Sequence, residues 1–590
     1  MRIPRAHIRP APGRIGEMMA GDGSARPSPA EAGVNPRIRL ALRRLRAARR
    51  PDVTIDPAPE GVLAEWNLPV PVRDGTILRV NVFRPPTDVP VPVIMSAHPY
   101  GKDRIPARRR GANTQYRVFP QPHPIRFSAW TGWEAPDPAV WLARGYAVIN
   151  ADVRGAGTSE GVGELLSRQE HLDYHDLIEW AGTRPWSNGR VGLLGVSYLA
   201  ISQYGVAATR PPHLAAICPW EGLSDVYRDL AYPGGVREDG FTIMWSALTD
   251  RQSRMREKVR PEFVARPQRD AWYEAHTPEL ADIRAPMLVC GSFSDHSLHT
   301  RGSFEAFRRV SSPQRWLYTH RDGKWAHFYS TEAVAAQTAF FDHFLKGEDN
   351  GWDRTAPIRL AVHEEGPEPV AVLGEPSWPP PYLEWTTLHL DLTGRRLRSD
   401  PQAVPAEASV DLRHSMLSLT WQPAQDCDLI GHGALRLWVS LQGTDDAHLF
   451  VGVRKFRHGH ECGFEGSYGF GFDMVTRGWQ RVAHRELDPD LSTPWQPVHT
   501  HRSAEPVAPG EIVAVDVALR PHATRMRAGE ILRLDIRGTW PFPRNPLTGQ
   551  FPAGYQRSPA GRCVIHAGGR FDSRLFMGLR PPRDEPAWRA

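Results

Sequence analysis

This sequence predicts an α/β domain followed by an all-β domain, and three observations support that fold class. Short apolar runs alternate with helical patterns between residues 61 and 352, which is typical of a mostly parallel sheet covered by helices on both faces. From residue 353 onward, apolar and polar residues alternate at period two between Gly and Pro breaks, which is typical of a β-sandwich. The chain has 590 residues, too many for one hydrophobic core, so more than one domain is expected.

Composition excludes several function classes. The hydrophobic fraction is 41% and there are 20 Trp residues, which indicates a well-packed globular protein. No apolar run approaches the roughly 20 residues needed to cross a bilayer, so no membrane span is expected. The net charge of +6 is small for this length, so nucleic acid is not an expected partner.

The cysteines predict the compartment. Cys218, Cys290, Cys427, Cys462 and Cys563 are odd in number, scattered, and without the paired spacing of a metal site. The first residues carry arginines but no continuous apolar core, so no secretory signal is visible. We therefore expect a reduced, cytoplasmic setting with no structural disulfide, no metal and no cofactor.

Residues 1–60 form a Pro-, Ala- and Arg-rich N-terminal extension that we expect to be poorly ordered. Within it, residues 36–50 carry seven arginines with Ile and Leu between them. Such a segment is either a basic helix on an anionic surface or a solvated helix packed on the first domain.

Alternating residues 68–83 around an Asp-Gly turn predict a hairpin at the start of the first domain. Residues 91–97 and 146–152 then read as buried strands. The long connection over residues 104–140 is rich in Arg, Pro and aromatic residues, and a connection of that length is usually functional or carries small elements of its own.

The segment from Gly189 to Ala200 has the order that a nucleophile elbow requires. An apolar strand over residues 191–194 leads through Gly195 to Ser197, and a helical pattern follows over residues 198–210. Leu199 stands where the Gly-x-Ser-x-Gly motif has its last glycine, so the motif alone leaves two readings open. Ser197 is either a nucleophile at the tip of a turn or a serine that caps a helix.

The rest of the chain completes this architecture. Further strands are expected at residues 215–219, 286–291 and 316–320, with a helix over residues 331–346. The segment between the first two, about residues 221–283, has helical patterns and is placed to cover the site as a cap.

A serine hydroxyl needs a base that a carboxylate orients, and in α/β-hydrolases the chain order is Ser, then Asp or Glu, then His. Asp295 follows one predicted strand and His327 follows the next, and parallel sheets place their sites at these strand ends. The loop after the next strand approaches the elbow from the open side, which favours His327. His296, His299 and His320 remain rivals as the base, and Asp295 could instead cap the helix that follows it.

The tetrahedral intermediate needs hydrogen-bond donors for its oxyanion. The backbone N–H of Tyr198, directly after the serine, is one candidate. The hydroxyl of Tyr100, in the loop after an early strand, is the other. The alternative for Tyr100 is a purely packing aromatic ring.

Several stretches together resemble one family. In the first domain they are Pro99–Lys102, Gly145–Val148, Asp152–Gly155, Ile178–Trp180, Trp186–Gly192, Gly195–Leu199 and Tyr232–Gly235. Beyond it they are Phe341–Gly347, Ile430–His432, Leu435–Val439 and His484–Asp488. From about residue 65 to the end, the chain resembles the cocaine-esterase-like serine hydrolases, which are related to X-Pro dipeptidyl-peptidases and α-amino-acid ester hydrolases.

The resemblance implies an α/β-hydrolase domain with a helical cap and a C-terminal jelly roll. It also implies Ser197, Asp295 and His327 as a triad, with Tyr100 and Tyr198 at the oxyanion. The family's elbow has its small residue three positions after the serine, where this chain has an alanine. The Gly-Pro-Trp-x-His stretch before the family's histidine is altered here at residues 324 and 326, and the cap is short.

The expected activity is hydrolysis of carboxylic esters, or of amides, through an acyl-enzyme, on a small-molecule substrate. An aminopeptidase-like or α-amino-acid ester hydrolase activity is the alternative, and it would need a carboxylate cluster for the substrate ammonium. The candidates for that cluster are Glu221, Asp225, Asp229, Glu238 and Asp239. A non-catalytic protein that binds carbohydrate is a third reading, and either a monomer or a homodimer fits the sequence.

Overall fold

The fold is described from a computed structural model of the chain. It covers residues 52–104, 119–466, 472–543, 552–584, and the single residues 42, 45, 46, 49, 550 and 588. The extension over residues 1–60, the basic segment 36–50 and the connection 104–140 therefore lie wholly or partly outside the described residues.

A large sheet forms the scaffold of the first domain. The strands of this half are β1 Val53–Asp56, β2 Leu63–Pro71, β3 Ile77–Arg84, β4 Val91–His98, β5 Ile125–Ser128, β6 Ala147–Asp152, β7 Ser187–Val196, β8 Leu214–Trp220, β9 Met287–Ser292, β10 Arg315–His320, β11 Ile358–His363 and β12 Pro369–Glu375. The large sheet has the order β2–β3–β6–β4–β7–β8–β9–β10–β11–β12, and the pairs from β6 to β11 are parallel. The strands β1 and β5 pair separately.

Helices cover this sheet and build the cap. They are α1 Pro138–Leu142, α2 Arg168–Gly182, α3 Tyr198–Ala208, α4 Phe241–Gln252, α5 Val259–Ala265, α6 Ala271–Ala275, α7 Thr300–Arg309, α8 Lys324–Phe328 and α9 Thr331–Phe341. Side chains cap four of them, because Asp137 of α1, Ser167 of α2, Asp270 of α6 and Ser330 of α9 each accept a backbone N–H from the first turn. A π-helical turn, Asp342–Lys346, continues α9 and ends at Gly347, whose φ of 76° is left-handed.

The structure confirms the predicted fold class. The hairpin forms between β2 and β3, and the apolar runs expected as strands lie in β4, β6, β7, β8, β9 and β10. The strands β4 and β6 to β9 are buried along almost their whole length, as strands of a doubly covered parallel sheet are. The sheet extends past the expected boundary at residue 352, because β11 pairs in parallel with β10.

The C-terminal half is a sandwich of mostly antiparallel strands. Its strands are β13 Glu384–Asp391, β14 Arg396–Arg398, β15 Ala406–Asp411, β16 Met416–Trp421, β17 Cys427–Gln442, β18 His448–Arg457, β19 His460–Cys462, β20 Thr476–Arg481, β21 Val513–Met526, β22 Ile531–Arg537, β23 Arg562–Ala567 and β24 Arg574–Arg580. One layer is built around β17, which pairs with β21, β23 and β24; the other runs β16–β22–β18–β20. Alternating residues of β17, such as Leu435, Leu437 and Val439, are fully buried between the layers.

The segment between β8 and β9 is a helical cap, as the sequence predicts. It contains the π-helical turn Val226–Ala231 and helices α4, α5 and α6. The cap also contacts the sandwich, because the Arg228 guanidinium donates to the carbonyl of His499 at 2.8 Å and Gly554 donates its N–H to Glu238 at 3.0 Å. Sandwich and cap are therefore in direct contact.

Among the helices of the described residues, none has both the length and the apolarity to cross a bilayer.

Candidate active site

Ser197 lies at a sharp turn between β7 and α3. Its φ of 58° and ψ of −115° lie in a sparsely populated region that costs energy for a residue with a side chain. The turn is close enough that a Cβ on Gly195 would lie 2.4 Å from the Leu199 Cβ, so only glycine fits there. The local geometry is that of a nucleophile elbow, with the serine directly before the N-terminus of α3.

The base that the structure brings to this serine is His299. Its Nε2 lies 3.2 Å from Ser197 Oγ, and its Nδ1 lies 2.5 Å from Oδ2 of Asp295. Asp295 follows β9, and its carbonyl accepts the N–H groups of residues 298, 299 and 300, which folds the chain back toward the sheet. Serine, imidazole and carboxylate thus form one hydrogen-bonded series.

Lys324, the first residue of α8, also lies in this series. Its Nζ is 2.7 Å from Asp295 Oδ2 and 2.9 Å from His299 Nδ1. Glu221, directly after β8, places Oε2 4.0 Å from the same Nζ, and its φ of 52° is left-handed. Two carboxylates and one ammonium are therefore buried together behind the imidazole.

The protonation of these groups follows from burial and mutual charge. Burial opposes the ionised form of Asp295, but Lys324 and the imidazole outweigh it and hold the pKa of Asp295 well below its usual range. Burial together with the Lys324 ammonium lowers the pKa of His299 below its usual 6.5. Burial raises the pKa of Glu221 to about 7, against the opposing charge of Lys324.

Carboxylates and imidazole are common metal ligands, and Glu221, Asp295 and His299 offer ligand atoms within 4.8 Å of one another. The residues do not fit a metal ion well, because Lys324 already supplies positive charge within hydrogen-bond distance of two of them. An ammonium rather than a metal ion balances this cluster.

His327 does not contact Ser197 in the structure, so the expectation that His327 is the base is corrected. Its Nε2 lies 3.1 Å from the hydroxyl of Tyr318, and its ring stacks on His320 at a centroid distance of 4.0 Å. The short helix α8 carries both Lys324 and His327, and it is Lys324 that faces Asp295. Burial, with the neighbouring His320, lowers the pKa of His327 to about 4, so the ring is neutral.

The other two rival histidines also have different partners. His320 places Nε2 3.1 Å from Glu221 Oε1, and burial lowers its pKa to about 3. His296 points away from the serine, toward the carbonyl of Pro521 in the sandwich at 3.3 Å. Of the histidines weighed from the sequence, His299 alone contacts Ser197 among the described residues.

Both expected oxyanion donors lie at the site. The N–H of Tyr198 opens α3, where the first N–H groups of a helix have no partner within it. Tyr100 lines the same cavity as Ser197, and its hydroxyl accepts a hydrogen bond from Trp245 at 3.1 Å. Burial and the nearby Glu134 raise the pKa of Tyr100 well above its usual 10, so its hydroxyl keeps its proton and can donate it.

A small apolar cavity lies over Ser197. Its free volume is about 10 Å³, and its walls are Tyr100, Leu166, Tyr198, Ile201, Leu223, Leu230, Phe241, Trp245, Leu298 and His299. A second cavity of about 20 Å³ adjoins it under the cap and shares Leu166, Leu230 and Trp245 as the common wall. In this conformation the first cavity has room for about one water molecule.

Residues 74–329 match the family described as X-Pro dipeptidyl-peptidase (S15 family), and residues 350–576 match the X-Pro dipeptidyl-peptidase C-terminal non-catalytic domain. A crystal structure of a CocE/NonD family hydrolase from Staphylococcus aureus superposes with a TM-score of 0.83 and is 33% identical, over 88% of this chain and 94% of that one. This chain belongs to the CocE/NonD hydrolase family. The predicted family resemblance is confirmed.

This CocE/NonD hydrolase is also similar to two further proteins. The cocaine esterase of a Rhodococcus species is 28% identical over 56% of this chain, and the match spans 62% of that esterase's length. The structure of an α-amino acid ester hydrolase has a TM-score of 0.65 at 16% identity, over 88% of this chain and 97% of that one, which shows a shared fold.

Proposed function

We propose that this CocE/NonD hydrolase cleaves carboxylic esters through an acyl-enzyme formed on Ser197. One observation carries the proposal: Ser197, His299 and Asp295 form a continuous hydrogen-bonded series at the floor of an apolar cavity. A serine activated by an oriented imidazole is the machinery of acyl transfer.

The proton movements follow from these contacts. As Ser197 Oγ attacks the ester carbonyl, Nε2 of His299 accepts its proton. The imidazolium then gives that proton to the leaving alkoxide, the C–O bond breaks, and the acyl group stays on Oγ. A water molecule deprotonated by the same Nε2 then attacks the acyl carbon, the C–Oγ bond breaks, and the imidazolium returns the proton to Ser197 Oγ. Asp295 keeps Nδ1 protonated throughout.

Two donors are placed for the oxyanion of each tetrahedral intermediate. The N–H of Tyr198 follows the nucleophile directly, and the hydroxyl of Tyr100 comes from the loop after β4. The hydrogen bond from Trp245 to the Tyr100 oxygen leaves that oxygen's own proton available for the substrate. Together they make an oxyanion hole of one backbone and one side-chain donor.

The cavity favours an apolar, uncharged acyl group. Apart from Ser197, His299 and the two tyrosines, its walls are Leu, Ile, Phe and Trp side chains. No carboxylate lines this cavity in the described residues, so an ammonium held there would be buried unpaired, which is costly. The adjoining cavity has Glu164, which pairs with Arg256 and His276, and Glu257, which accepts a hydrogen bond from Trp272.

The five carboxylates considered for an ammonium site are occupied elsewhere. Asp225 bonds Arg228, Asp229 bonds Arg301, Asp239 bonds Arg237 and Arg260, Glu238 accepts the N–H groups of residues 240, 241, 242 and 554, and Glu221 bonds His320. These contacts support ester hydrolysis over the aminopeptidase-like alternative. Amides remain a second class open to the same chemistry.

The hydrogen-bonded series also argues against the third reading, a non-catalytic binding protein, because a protein that only binds has no use for a serine held in a strained turn against a histidine.

The cellular compartment and the oligomeric state are separate proposals. The cytoplasmic setting is supported by five buried cysteines that are all free thiols. A homodimer stays a prediction.

The test is a substrate screen beside one variant and one covalent probe. We expect hydrolysis of p-nitrophenyl acetate and butyrate, and much slower release from aminoacyl- and X-Pro-p-nitroanilides. Ser197→Ala should lose the activity, and a fluorophosphonate probe should label the parent at Ser197 only. Faster turnover of the X-Pro anilides than of the simple esters would contradict the ester assignment. Labelling at another serine would contradict the nucleophile.

A further inference from the structure

We propose that Lys324 is a positioning residue of the Ser197 site, whose ammonium fixes the Asp295 carboxylate and sets the pH below which His299 no longer acts as a base. This inference rests on the proposed function. It concerns a side chain that touches neither Ser197 nor the cavity and therefore acts through the groups behind the imidazole.

Three atoms form a tight triangle at the centre of the cluster. Oδ2 of Asp295 is 2.5 Å from His299 Nδ1 and 2.7 Å from Lys324 Nζ, and the two nitrogens are 2.9 Å apart. One carboxylate oxygen therefore accepts both N–H groups. Because two donors hold the same oxygen, the carboxylate cannot rotate away from the imidazole without losing both bonds.

The same contact has an electrostatic consequence. When Ser197 or solvent gives a proton to Nε2, the imidazolium of His299 lies beside a buried ammonium. Two positive charges at this distance repel each other, and in a buried site that repulsion is weakly screened. The Asp295 carboxylate attracts both cations. The repulsion between Lys324 and the imidazolium offsets part of the attraction by which Asp295 stabilises that imidazolium.

Other titratable groups face this triangle as well. Glu221 approaches Nζ from the end of β8 at 4.0 Å, and Glu134, before α1, bonds Trp325 of α8; burial raises the pKa of Glu221 to about 7 and that of Glu134 to about 8. Arg477 of the sandwich donates to Ser297 and adds a cation whose charge reaches Asp295. His320 of β10 and His327 of α8 face the same cluster as neutral rings. Without Lys324, the ammonium 2.9 Å from Nδ1 would be gone, and the imidazolium would become more stable.

Lys324 stands at one of the two positions where this chain departs from the family's Gly-Pro-Trp-x-His stretch, and its Nζ fills the space beside the Asp295 carboxylate. The imidazole at that carboxylate comes from His299, four residues after Asp295, whereas His327 of α8 bonds Tyr318.

The experiment measures kcat/KM for p-nitrophenyl butyrate against pH in the parent and in three variants. Lys324→Met removes the hydrogen bond and the charge, Lys324→Gln keeps a donor without charge, and Lys324→Arg keeps the charge. In the parent we expect an acid limb with an apparent pKa below 6.5. In the Met and Gln variants the apparent pKa of this limb should rise by about one to three pH units. At acid pH, kcat/KM should then fall about tenfold for each unit of that rise. The Arg variant should keep the parent limb.

Two controls separate this inference from other outcomes. Ser197→Ala tests the proposed function itself, since an activity that survives it is not the serine chemistry. Lys455→Met removes another buried lysine, bonded in the sandwich to the carbonyl of Arg525, and should leave the pH profile unchanged. Thermal unfolding of each variant checks its fold.

The inference is overturned if the folded Met and Gln variants keep the parent profile, or if the Arg variant shifts as they do. A parent acid limb at or above 6.5 would overturn it too, without relying on any variant. A loss of stability with an unchanged profile would assign Lys324 a merely structural role.

Discussion

His299 lies one helical turn after Asp295, and its Nδ1 is 2.5 Å from the Asp295 Oδ2. The base and the carboxylate that orients it therefore come from a single segment after β9, which the three N–H groups bonded to the Asp295 carbonyl fold back on itself. A base on the same segment as its orienting carboxylate keeps its position relative to that carboxylate even if neighbouring loops move. The segment after β10 contributes Lys324 of α8 to the site instead of a base.

The first prediction separates the two histidines. His299→Ala should lower kcat by roughly four to six orders of magnitude, because the nucleophile loses its base. His327→Ala should keep kcat within about threefold of the parent and should mainly lower Tm, because it removes a ring stacked on His320 and a hydrogen bond to Tyr318. Steady-state kinetics and thermal unfolding of both variants test this. A folded His327→Ala enzyme as inactive as His299→Ala would restore the base expected from the sequence.

The second prediction concerns Tyr100. Its hydroxyl is buried, protonated and held by Trp245, which are the properties of a fixed donor. Losing one oxyanion donor costs about 3–4 kcal/mol of transition-state stabilisation in a comparable enzyme. Tyr100→Phe should therefore lower kcat by about two to three orders of magnitude with little change in KM.

Tyr198→Phe is the matched control for that prediction. The Tyr198 hydroxyl bonds Glu170, away from the substrate, and the donor proposed for Tyr198 is its backbone N–H. This variant should keep most of the activity. A Tyr100→Phe enzyme with kcat within threefold of the parent would mean that the Tyr100 ring only packs.

Much of this architecture could be predicted from the sequence because it depends on local patterns. Apolar runs of strand length fix the parallel sheet, and Gly195 before Ser197 marks a turn that no larger residue can make. Asp295 and Tyr100 could be placed at the site because each follows a strand whose carboxyl end faces the elbow.

The base could not be predicted by the same reasoning. Chain order favours a histidine after the strand that follows the aspartate, and His327 satisfies that order. The choice of His299 depends on how residues 296–300 fold around the Asp295 carbonyl and on Lys324 filling the space beside the carboxylate. Both are tertiary facts, although the four-residue spacing from Asp295 to His299 was a visible signal of neighbouring side chains on a helical turn.

The third prediction is a pH dependence of stability at Glu170. This carboxyl is buried against the Tyr198 hydroxyl, and burial raises its pKa to about 8. The unfolded chain releases this proton near the ordinary value, whereas the folded chain keeps it until about pH 8. Its contribution is therefore fully present below the ordinary pKa and is lost as pH rises toward 8, by at most about 1.4 kcal/mol per unit.

Glu170→Gln removes that ionisation, so the Tm of the variant minus that of the parent should increase steadily from pH 5 to pH 8. Differential scanning calorimetry at several pH values measures the difference. Glu384→Gln, at an exposed strand end, is the control and should show no such trend. A Tm difference for Glu170→Gln that is constant over this range would show that Glu170 is ionised in the folded protein.

The fourth prediction concerns acyl-chain selection at Leu166, which separates the cavity over Ser197 from the adjoining cavity under the cap. Leu166→Ala should join the two and admit longer chains. Hexanoate has two methylenes more than butyrate, and each buried methylene contributes about 0.8 kcal/mol, so the variant's kcat/KM for p-nitrophenyl hexanoate relative to butyrate should rise by roughly tenfold. The neighbouring Leu165 lines only the adjoining cavity under the cap, and Leu165→Ala should leave that ratio near the parent value. An unchanged ratio in a folded Leu166→Ala enzyme would show that the acyl chain does not cross this wall and leaves the site by another face.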